Sequence, residues 1–397
     1  MSYSNYNRSA PRGRSGRPSR PQSGGRGPKK EYINPARFIQ TAKSATEPEY
    51  IPTHSFADFS MHPLLLNNLT AKGFDTPSAI QDQTIPAGLA GKDVVGIANT
   101  GTGKTAAFAV PLLHKLMADR DSYAIILAPT RELAQQIEEE CRSIAKGSGL
   151  SGVLLIGGVA MSPQLSALKQ RPRIVIGTPG RIKDHMERGS LNLDIFNIVV
   201  LDEVDRMLDM GFIIDIRHIL SKTARNKQSF FFSATLDGRV KTIIDSFSAD
   251  PVHVVAKTGE TSDFVDQNIV TFSTSGEKID KLHDLLVQKD VVKALVFDDT
   301  HRSVERLCKD LQERGFNVDA IHGGKSQSQR QRALKRFKDS QVNVLVATDV
   351  AARGIDVADI THVVNYSQPQ SYGDYVHRIG RAGREGRTGY ALTFVQQ

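Results

Sequence analysis

Tryptophan is absent from this chain of 397 residues, and there are only two cysteines. Cys141 and Cys308 lie far apart, with no metal-ligand spacing around either. That excludes a disulfide framework and leaves two structural, reduced thiols as the expectation. No apolar run approaches the ~18 residues needed to span a bilayer, and the N-terminus lacks the apolar core of a secretory signal. An intracellular, cytoplasmic protein with no membrane partner is therefore expected. Acidic residues are scarce at one end. Residues 1–50 hold ten Lys and Arg against three acids, a surplus of seven, so the rest of the chain contributes only +1 of the net +8. Apolar residues are nearly missing there as well. The stretch "RSAPRGRSGRPSRPQSGGRGPKK" cannot bury enough surface to offset its ordering entropy, so residues 1–50 read as a disordered Arg/Gly/Ser/Pro-rich tail. Its spaced arginines suit loose phosphate contact with nucleic acid, a solubilising role being the alternative. Within it, "INPARFIQTA" (33–42) carries a short amphipathic pattern able to dock as a helix.

What the chain does have is alternation. From about residue 55, helix-period segments such as "RELAQQIEEECRSIAKG" alternate with short apolar runs: "DVVGIA", "YAIILAP", "GVLLIGG", "RIVIGTP", "NIVVLDE", "SFFFSAT" and "VHVVA". Runs of consecutive apolar residues, rather than a period of two, predict strands buried on both faces of a parallel sheet. The pattern is α/β and doubly wound. A turn-rich passage, "KTGETSDFVDQ", interrupts it, and a second series follows: "NIVTFST", "ALVFDD", "NVDAIHG", "VNVLVATD", "HVVNYS" and "GYALTFV". Two α/β domains are expected, 51–257 and 266–397, joined by a linker at 258–265.

Two stretches carry chemistry. "ANTGTGKT" (98–105) follows a strand and opens a helix, which is the setting of a Walker A loop, with Ala98 at the usual first glycine. Gly101 and Gly103 let backbone N–H groups converge on phosphate oxygens, and the helix N-terminus adds partial positive charge. Lys104 can reach the β- and γ-phosphates and the Thr105 hydroxyl can ligate Mg²⁺. A glycine-rich turn with an incidental lysine is the bland alternative. The buried run ending in "DEVD" (202–205) supplies the complement. Asp202 at a strand's C-terminal end is placed as the second Mg²⁺ ligand. Glu203 is suited to orient or deprotonate a water. Asp205 and Asp209 cannot both be ligands as well, so one is expected to be a structural partner and the other solvated.

With these motifs in hand, the chain from about residue 55 onward resembles the DEAD-box RNA helicases of superfamily 2. The likeness rests on "ANTGTGKT", "PTRELA" (129–134), "GG" (157–158), "TPGR" (178–181), "DEVD", "SAT" (233–235), "VFDDT" (296–300), "QSQR" (327–330), "ATDVAARGID" (347–356) and "HRIGRAGR" (377–384), in order. It implies two tandem RecA-like domains with parallel sheets, using ATP and Mg²⁺ on RNA. The resemblance assigns the nucleotide to Phe56, Phe74, Thr76 and Gln81, to the loop Ala98, Asn99, Thr100, Gly101, Thr102, Gly103, Lys104 and Thr105, and to Gly354 and Asp356. Phe74 would stack on adenine while Gln81 reads its edge. Arg381 and Arg384 would reach across the cleft as arginine fingers, and His377 would link their motif to the acidic one. The RNA face would comprise Pro129, Thr130, Arg131, Gly158, Thr178, Gly180 and Arg181 in the first domain. In the second it would comprise Thr300, Arg330, Thr348 and Asp349. These would touch phosphates and 2′-hydroxyls, so binding would not depend on base sequence. Singly, Thr178 and Arg330 read equally as a helix cap or a surface charge. Ser233 and Thr235 would hydrogen-bond Asp205 and couple hydrolysis to strand separation.

Two positions depart from the family pattern. Val204 replaces the usual alanine at a tight strand-to-helix turn, and Asn99 stands where Gln or Glu is common. Neither removes a reacting group. The expected function is an ATP-dependent RNA helicase acting as a monomer. The chief alternative is an ATP-gated RNA clamp or chaperone with little unwinding, and a DNA translocase is disfavoured by "PTRELA" and the adenine-reading residues. The chain stops soon after "GYALTFVQQ", so targeting through a C-terminal extension is not expected and the N-terminal tail is the candidate for it.

Overall fold

The computed structural model describes residues 32–42, 50–99, 101–256, 265–352, 357, 359–383 and 388–397. Domain 1 begins with α1 (Pro63–Ala71) and α2 (Ala79–Leu89), then alternates β1 (Val94–Ile97), α3 (Lys104–Ala118), β2 (Ala124–Leu127), α4 (Arg131–Ile144), β3 (Gly152–Leu155), α5 (Met161–Leu168), β4 (Ile174–Gly177) and α6 (Pro179–Glu187). It continues with β5 (Ile198–Leu201), α7 (Val204–Asp209), α8 (Ile213–Ser221), β6 (Gln228–Ser233), α9 (Gly238–Phe247) and β7 (Val252–Val255). Domain 2 contains β8 (Val265–Phe272), α10 (Ser275–Leu286), β9 (Ala294–Phe297), α11 (His301–Glu313), β10 (Val318–Ile321) and α12 (Gln327–Lys338). It ends with β11 (Val344–Ala347), α13 (Asp349–Ala352), β12 (His362–Asn365), α14 (Tyr372–Ile379) and β13 (Gly389–Gln396).

The first sheet runs β3-β4-β2-β5-β6-β1-β7 and the second β10-β11-β9-β12-β13-β8. Neighbouring strands pair in parallel, as in Val94↔Phe230 and Ala294↔Val344. Strands such as β1, β2, β5 and β9 are buried at every position, because helices cover both faces. That is why their sequences read as unbroken apolar runs. Since all strands point the same way, the loops after β1, β2, β4, β5 and β6 gather along one edge, where ligands bind in open α/β sheets.

Helix α4 illustrates the local logic. Ala134, Ile137, Cys141 and Ile144 recur at steps of three and four and are all buried, forming one stripe against the core under β2 and β4. The Thr130 side chain accepts from Leu133 N at 3.2 Å and caps its start. Gly147, at φ +83°, lies just beyond its end. Burying one isoleucine such as Ile137 contributes about 1.5–3 kcal/mol, so a charge there would detach the helix.

Two expectations need correction. Residues 32–42 are not part of a disordered tail: Pro35–Phe38 form a 3₁₀ turn, rather than an α-helix, with Phe38 fully buried on domain 2. Val265, expected in the linker, belongs to β8. Residues 1–31 and 43–49 of the expected tail, and 258–264 of the expected linker, lie outside the described residues.

Candidate active site

The loop between β1 and α3 is held from within and from α2. Gly101 and Gly103 have φ of +81° and +88°, a left-handed backbone costing other residues about 1–2 kcal/mol. Gly103 precedes the first turn of the fifteen-residue α3, so the loop's N–H groups and the helix dipole face the same space. Thr102 Oγ1 donates to the Asn99 carbonyl and Ser78 Oγ to the Thr102 carbonyl, both at 2.8 Å. Lys104 is buried, with Nζ donating to the Ala98 carbonyl at 3.2 Å. Thr105 follows in the first turn of α3, half-buried. Gln81 is 4% exposed. Its amide accepts from Ser78 N at 2.9 Å and donates to the Gly103 carbonyl at 3.1 Å. A Cβ on Gly103 would lie 2.3 Å from Gln81 Nε2, so this position requires glycine. Gln81 thus braces the glycine loop from α2. Phe74 is half-buried and meets the buried Phe56 edge-on, with centroids 5.8 Å apart. Thr76 is exposed beside them in sequence, and Thr100 lies outside the described residues.

Three carboxylates follow β5, and their environments separate them. Asp202 is 2% exposed, and burial pushes its carboxyl up to about 6 against the opposing pull of Lys104. Glu203 adopts φ +55°, ψ +55°, a left-handed strain that persists because Val204, Met207 and Leu208 behind it are locked in the core. Burial works to raise the Glu203 carboxyl, but the charges of Arg206, Lys104 and Arg381 hold it below its ordinary value. Arg206 is 3% exposed, with Nε 3.4 Å from Glu203 Oε2. Its two terminal nitrogens find no hydrogen-bond partner among the described residues. Asp205 is the structural partner: Oδ2 accepts from Ala234 N, Thr235 N and Thr235 Oγ1 at 3.0–3.1 Å, and Ser233 Oγ accepts from Asp205 N at 3.4 Å. Asp209 is the solvated one, pairing with Arg239 at 2.9 Å on the surface.

Domain 2 supplies the opposite wall. A cavity is lined by Arg206 from domain 1 and by Asp349, Asp374, His377, Arg378 and Arg381, among others, from domain 2. Arg381 is 3% exposed. Arg378 donates to both oxygens of Asp349 at 2.5 and 2.6 Å, and to the Ser367 carbonyl at 2.7 Å. Its guanidinium lies 4.9 Å from the Phe297 ring centre. Asp349, expected on the RNA face, is therefore engaged by Arg378. Arg384, Gly354 and Asp356 lie outside the described residues.

The remaining expected contacts sit at helix starts. Pro129 is buried at the end of β2, and Thr130, Thr178 and Thr300 are the N-cap residues of α4, α6 and α11. Arg131 packs on the glycine pair: a Cβ at Gly158, whose φ is +73°, would lie 2.0 Å from Arg131 Nη1. Gly180 is in α6, and Arg181 Nη1 donates to the Val159 carbonyl at 3.2 Å. Thr348 Oγ1 is buried without a partner among the described residues. Arg330 departs from the expected RNA face. It is buried, with Nη2 2.8 Å from Glu132 Oε1 across the domain boundary. Gln327 Nε2 reaches the same oxygen at 3.3 Å, and Gln331 donates to Gln135 at 2.5 Å.

A DEAD/DEAH box helicase model matches residues 78–243, and a helicase conserved C-terminal domain model matches 277–386. The chain is 44% identical over 344 residues to the DEAD-box ATP-dependent RNA helicase CshA of Bacillus subtilis, covering 86% of this chain and 70% of the relative. The chain belongs to the DEAD-box ATP-dependent RNA helicases. Its fold is similar to that of S. cerevisiae Dbp5 bound to RNA and ADP BeF3, with a TM-score of 0.76, 29% identity, and 86% and 90% of the two chains covered. It is likewise similar to Mss116p bound to single-stranded RNA and AMP-PNP, with a TM-score of 0.79, 29% identity, and 88% and 77% covered.

This DEAD-box helicase is an ATP-hydrolysing, RNA-binding enzyme with two RecA-like domains. Among the described residues no helix is long and apolar enough to cross a membrane. The donor set also fits magnesium. The Thr105 hydroxyl and the Asp202 carboxylate are hard oxygen ligands, and burial among Glu203 and Asp205 makes Asp202 a carboxylate that a cation would stabilise. Among the described residues no group of three or more His, Cys, Asp or Glu side chains is arranged to hold a metal. Magnesium sites commonly take most ligands from phosphate and water. Sequence reasoning missed Arg206 and Arg378. Their only signal was a basic residue one turn after "DE" and another inside "HRIGR".

Proposed function

We propose that ATP and RNA together close the two domains over one nucleotide site, and that this closure locally and sequence-independently loosens short RNA duplexes or RNA–protein contacts. The observation that carries this reading is the meeting of charges from both domains. Arg381 of domain 2 is close enough to act on the buried Glu203 of domain 1, and Arg206 shares a cavity with His377 and Arg381. In this reading Lys104 and the glycine loop hold the phosphates, and Phe74 and Gln81 hold the adenine. Thr105 and Asp202 would hold magnesium, which when bound supplies Lewis-acid neutralisation of phosphate charge. Glu203, kept ionised and fixed by Arg206, orients the attacking water and takes its proton. Arg381 stabilises the charge that develops on the transferred phosphoryl group. Asp205, tied to Ser233 and Thr235, relays the change at the phosphates toward the RNA side.

RNA would lie along the starts of α4, α6 and α11, where N–H groups and glycine backbones meet phosphate without reading bases. Arg330 belongs in this scheme to the closure contact rather than to the RNA. The basic tail would add non-specific, salt-sensitive RNA binding. The protein would act as a cytoplasmic monomer. The deciding experiment is steady-state ATP hydrolysis with and without single-stranded RNA, for the wild type and Glu203→Gln. RNA stimulation lost in a variant that still binds ATP and RNA is the expected outcome. Hydrolysis indifferent to RNA, or a variant as active as wild type, would refute it. Duplex release that occurs equally without hydrolysable ATP would favour the clamp instead.

A further inference from the structure

Helix α14 is eight residues long, too short to hold its own shape in water. What packs on its two sides therefore sets where it points. On one side Asp374, His377, Arg378 and, just past its end, Arg381 follow one another at helical spacing and line the cavity that Arg206 enters from domain 1. On the opposite side are Tyr372, Tyr375 and Ile379, again at helical spacing. Tyr375 and Ile379 are fully buried, in a cluster that also contains Ile33 and Phe38.

Residues 33–40 cover that second side. Phe38 is fully buried with its ring centre 4.7 Å from that of Tyr375, and the Arg37 guanidinium lies 3.6 Å over the Tyr372 ring. Asn34 shapes the turn by accepting from Ala36 N at 3.0 Å. Gln40 exchanges two backbone hydrogen bonds with Gln267 of β8, at 3.0 and 2.7 Å, and the Gln267 side chain accepts from Tyr375 OH at 2.9 Å. The turn is thus fastened both to the helix and to the strand beside it. Arg378 follows Tyr375 by less than one helical turn. It is 2% exposed and tied to both Asp349 oxygens and to the Ser367 carbonyl. A displacement at Tyr375 is therefore passed directly to the arginine side of the helix.

We propose that Phe38 and Arg37 are positioning residues for ATP hydrolysis: the docked turn at Pro35–Phe38 presses α14 toward the cavity and so holds Arg381 in register with the phosphates. The inference rests on reading Arg381 as the residue that acts on the transferred phosphoryl group. Neither Phe38 nor Arg37 touches the nucleotide; both act through the tyrosine side of α14. Without them that side loses its cover, and a two-turn helix tilts. A misplacement of about 1 Å at a reacting group costs up to about 100-fold in rate. Phe74, Gln81 and the glycine loop belong to domain 1 and are untouched, so the loss falls on kcat and not on the KM for ATP.

The test compares Phe38→Ala, Arg37→Ala, Arg37→Lys and Arg381→Ala in the full chain. RNA-stimulated ATP hydrolysis gives kcat and the KM for ATP, and amide hydrogen exchange across α14 reports how firmly that helix is held. In Phe38→Ala, kcat is expected to fall about 10-fold or more with the KM for ATP within about 2-fold of wild type, and α14 amides to exchange faster while domain 1 is unchanged. Arg37→Ala, which removes a cation from a ring, is expected to lose about 2- to 5-fold in kcat, and Arg37→Lys to regain it. If Phe38→Ala speeds exchange throughout the domain 2 strands, it has unfolded that domain, and the exposed Arg37 decides alone. Faster exchange in α14 with kcat intact overturns the proposal and leaves the turn a structural cover. A kcat loss with α14 exchange unchanged overturns the route through the helix. A wild-type kcat in Arg381→Ala overturns the nucleotide-site reading and this inference with it. A loss in Arg381→Ala with none in the Phe38 and Arg37 variants overturns this inference alone.

Discussion

Glu132 and Arg330 offer the sharpest test of how the domains close. The pair spans the boundary at 2.8 Å, with both residues under 8% exposed. Burial pulls the Arg330 guanidinium below its ordinary value despite Glu132 beside it, a sign that its desolvation is only partly offset. In separated domains both groups would return to water, so the pair acts on closure and not on the stability of either domain. Truncating one partner of a buried, hydrogen-bonded charge pair costs about 2–5 kcal/mol. At about 1.4 kcal/mol per factor of ten, that is roughly 30-fold or more in the closure equilibrium. Glu132→Ala is therefore expected to raise the KM for RNA, at saturating ATP, by about 30-fold or more. Arg330→Ala should do the same, and the double variant should be no worse than the harsher single one. RNA affinity without nucleotide should be unaffected in all three, because no closed state is being sampled. The measurement is RNA-stimulated ATP hydrolysis across an RNA titration, paired with RNA binding by anisotropy with and without a non-hydrolysable ATP analogue. If Arg330→Ala weakens nucleotide-free RNA binding as strongly as it weakens nucleotide-bound binding, Arg330 is an RNA contact and the latch is wrong. Additive effects in the double variant would refute the pairing itself.

Other outcomes follow from single contacts. Gly158→Ala should lower RNA affinity about 5- to 30-fold, because the new Cβ needs a left-handed backbone costing about 1–2 kcal/mol and would collide with the Arg131 guanidinium. Unaltered binding isotherms would remove Arg131 from the RNA face. Asp82 predicts a pH effect. Burial works to raise its carboxyl, but hydrogen bonds from Tyr50, Thr53 and His54 hold it below the ordinary value. A lowered native value means that its stabilisation is complete above about pH 3.9 and is lost as the pH falls through the native value. Asp82→Asn should therefore flatten the acid limb of stability against pH, read by denaturant unfolding from pH 3 to 6. An acid limb identical to wild type would show that Asp82 does not titrate in this way.

How much was legible in the sequence depends on the range over which each feature is decided. The central strands were readable because each is a buried apolar run bounded by turns, a property of adjacent residues, whereas β7 at the sheet edge is largely exposed. The phosphate loop was readable because glycine spacing, Lys104 and the following helix are local, and its physics needs nothing distant. At Pro35–Phe38 the amphipathic pattern pointed to docking, but a 3₁₀ turn is too short to show its form as a period, and its partners Tyr375 and Gln267 come from domain 2. Charged residues were the hardest. Their sign is local, but their role is set by whatever faces them. "QSQR" and "PTRELA" both read as RNA-side motifs, and nothing within either says that Arg330 and Glu132 point at each other. Asp349 in the same way carries a free-looking carboxylate that Arg378 occupies in both oxygens. Arg206 is the reverse case. It was passed over as one more basic residue on a helix, yet burial within 3.4 Å of Glu203 makes it the largest charge effect holding that carboxylate ionised. Residues whose work is done between domains are thus systematically under-read from sequence, because the interface that gives them meaning forms only when the domains meet. In an enzyme that works by closing, those residues carry much of the function.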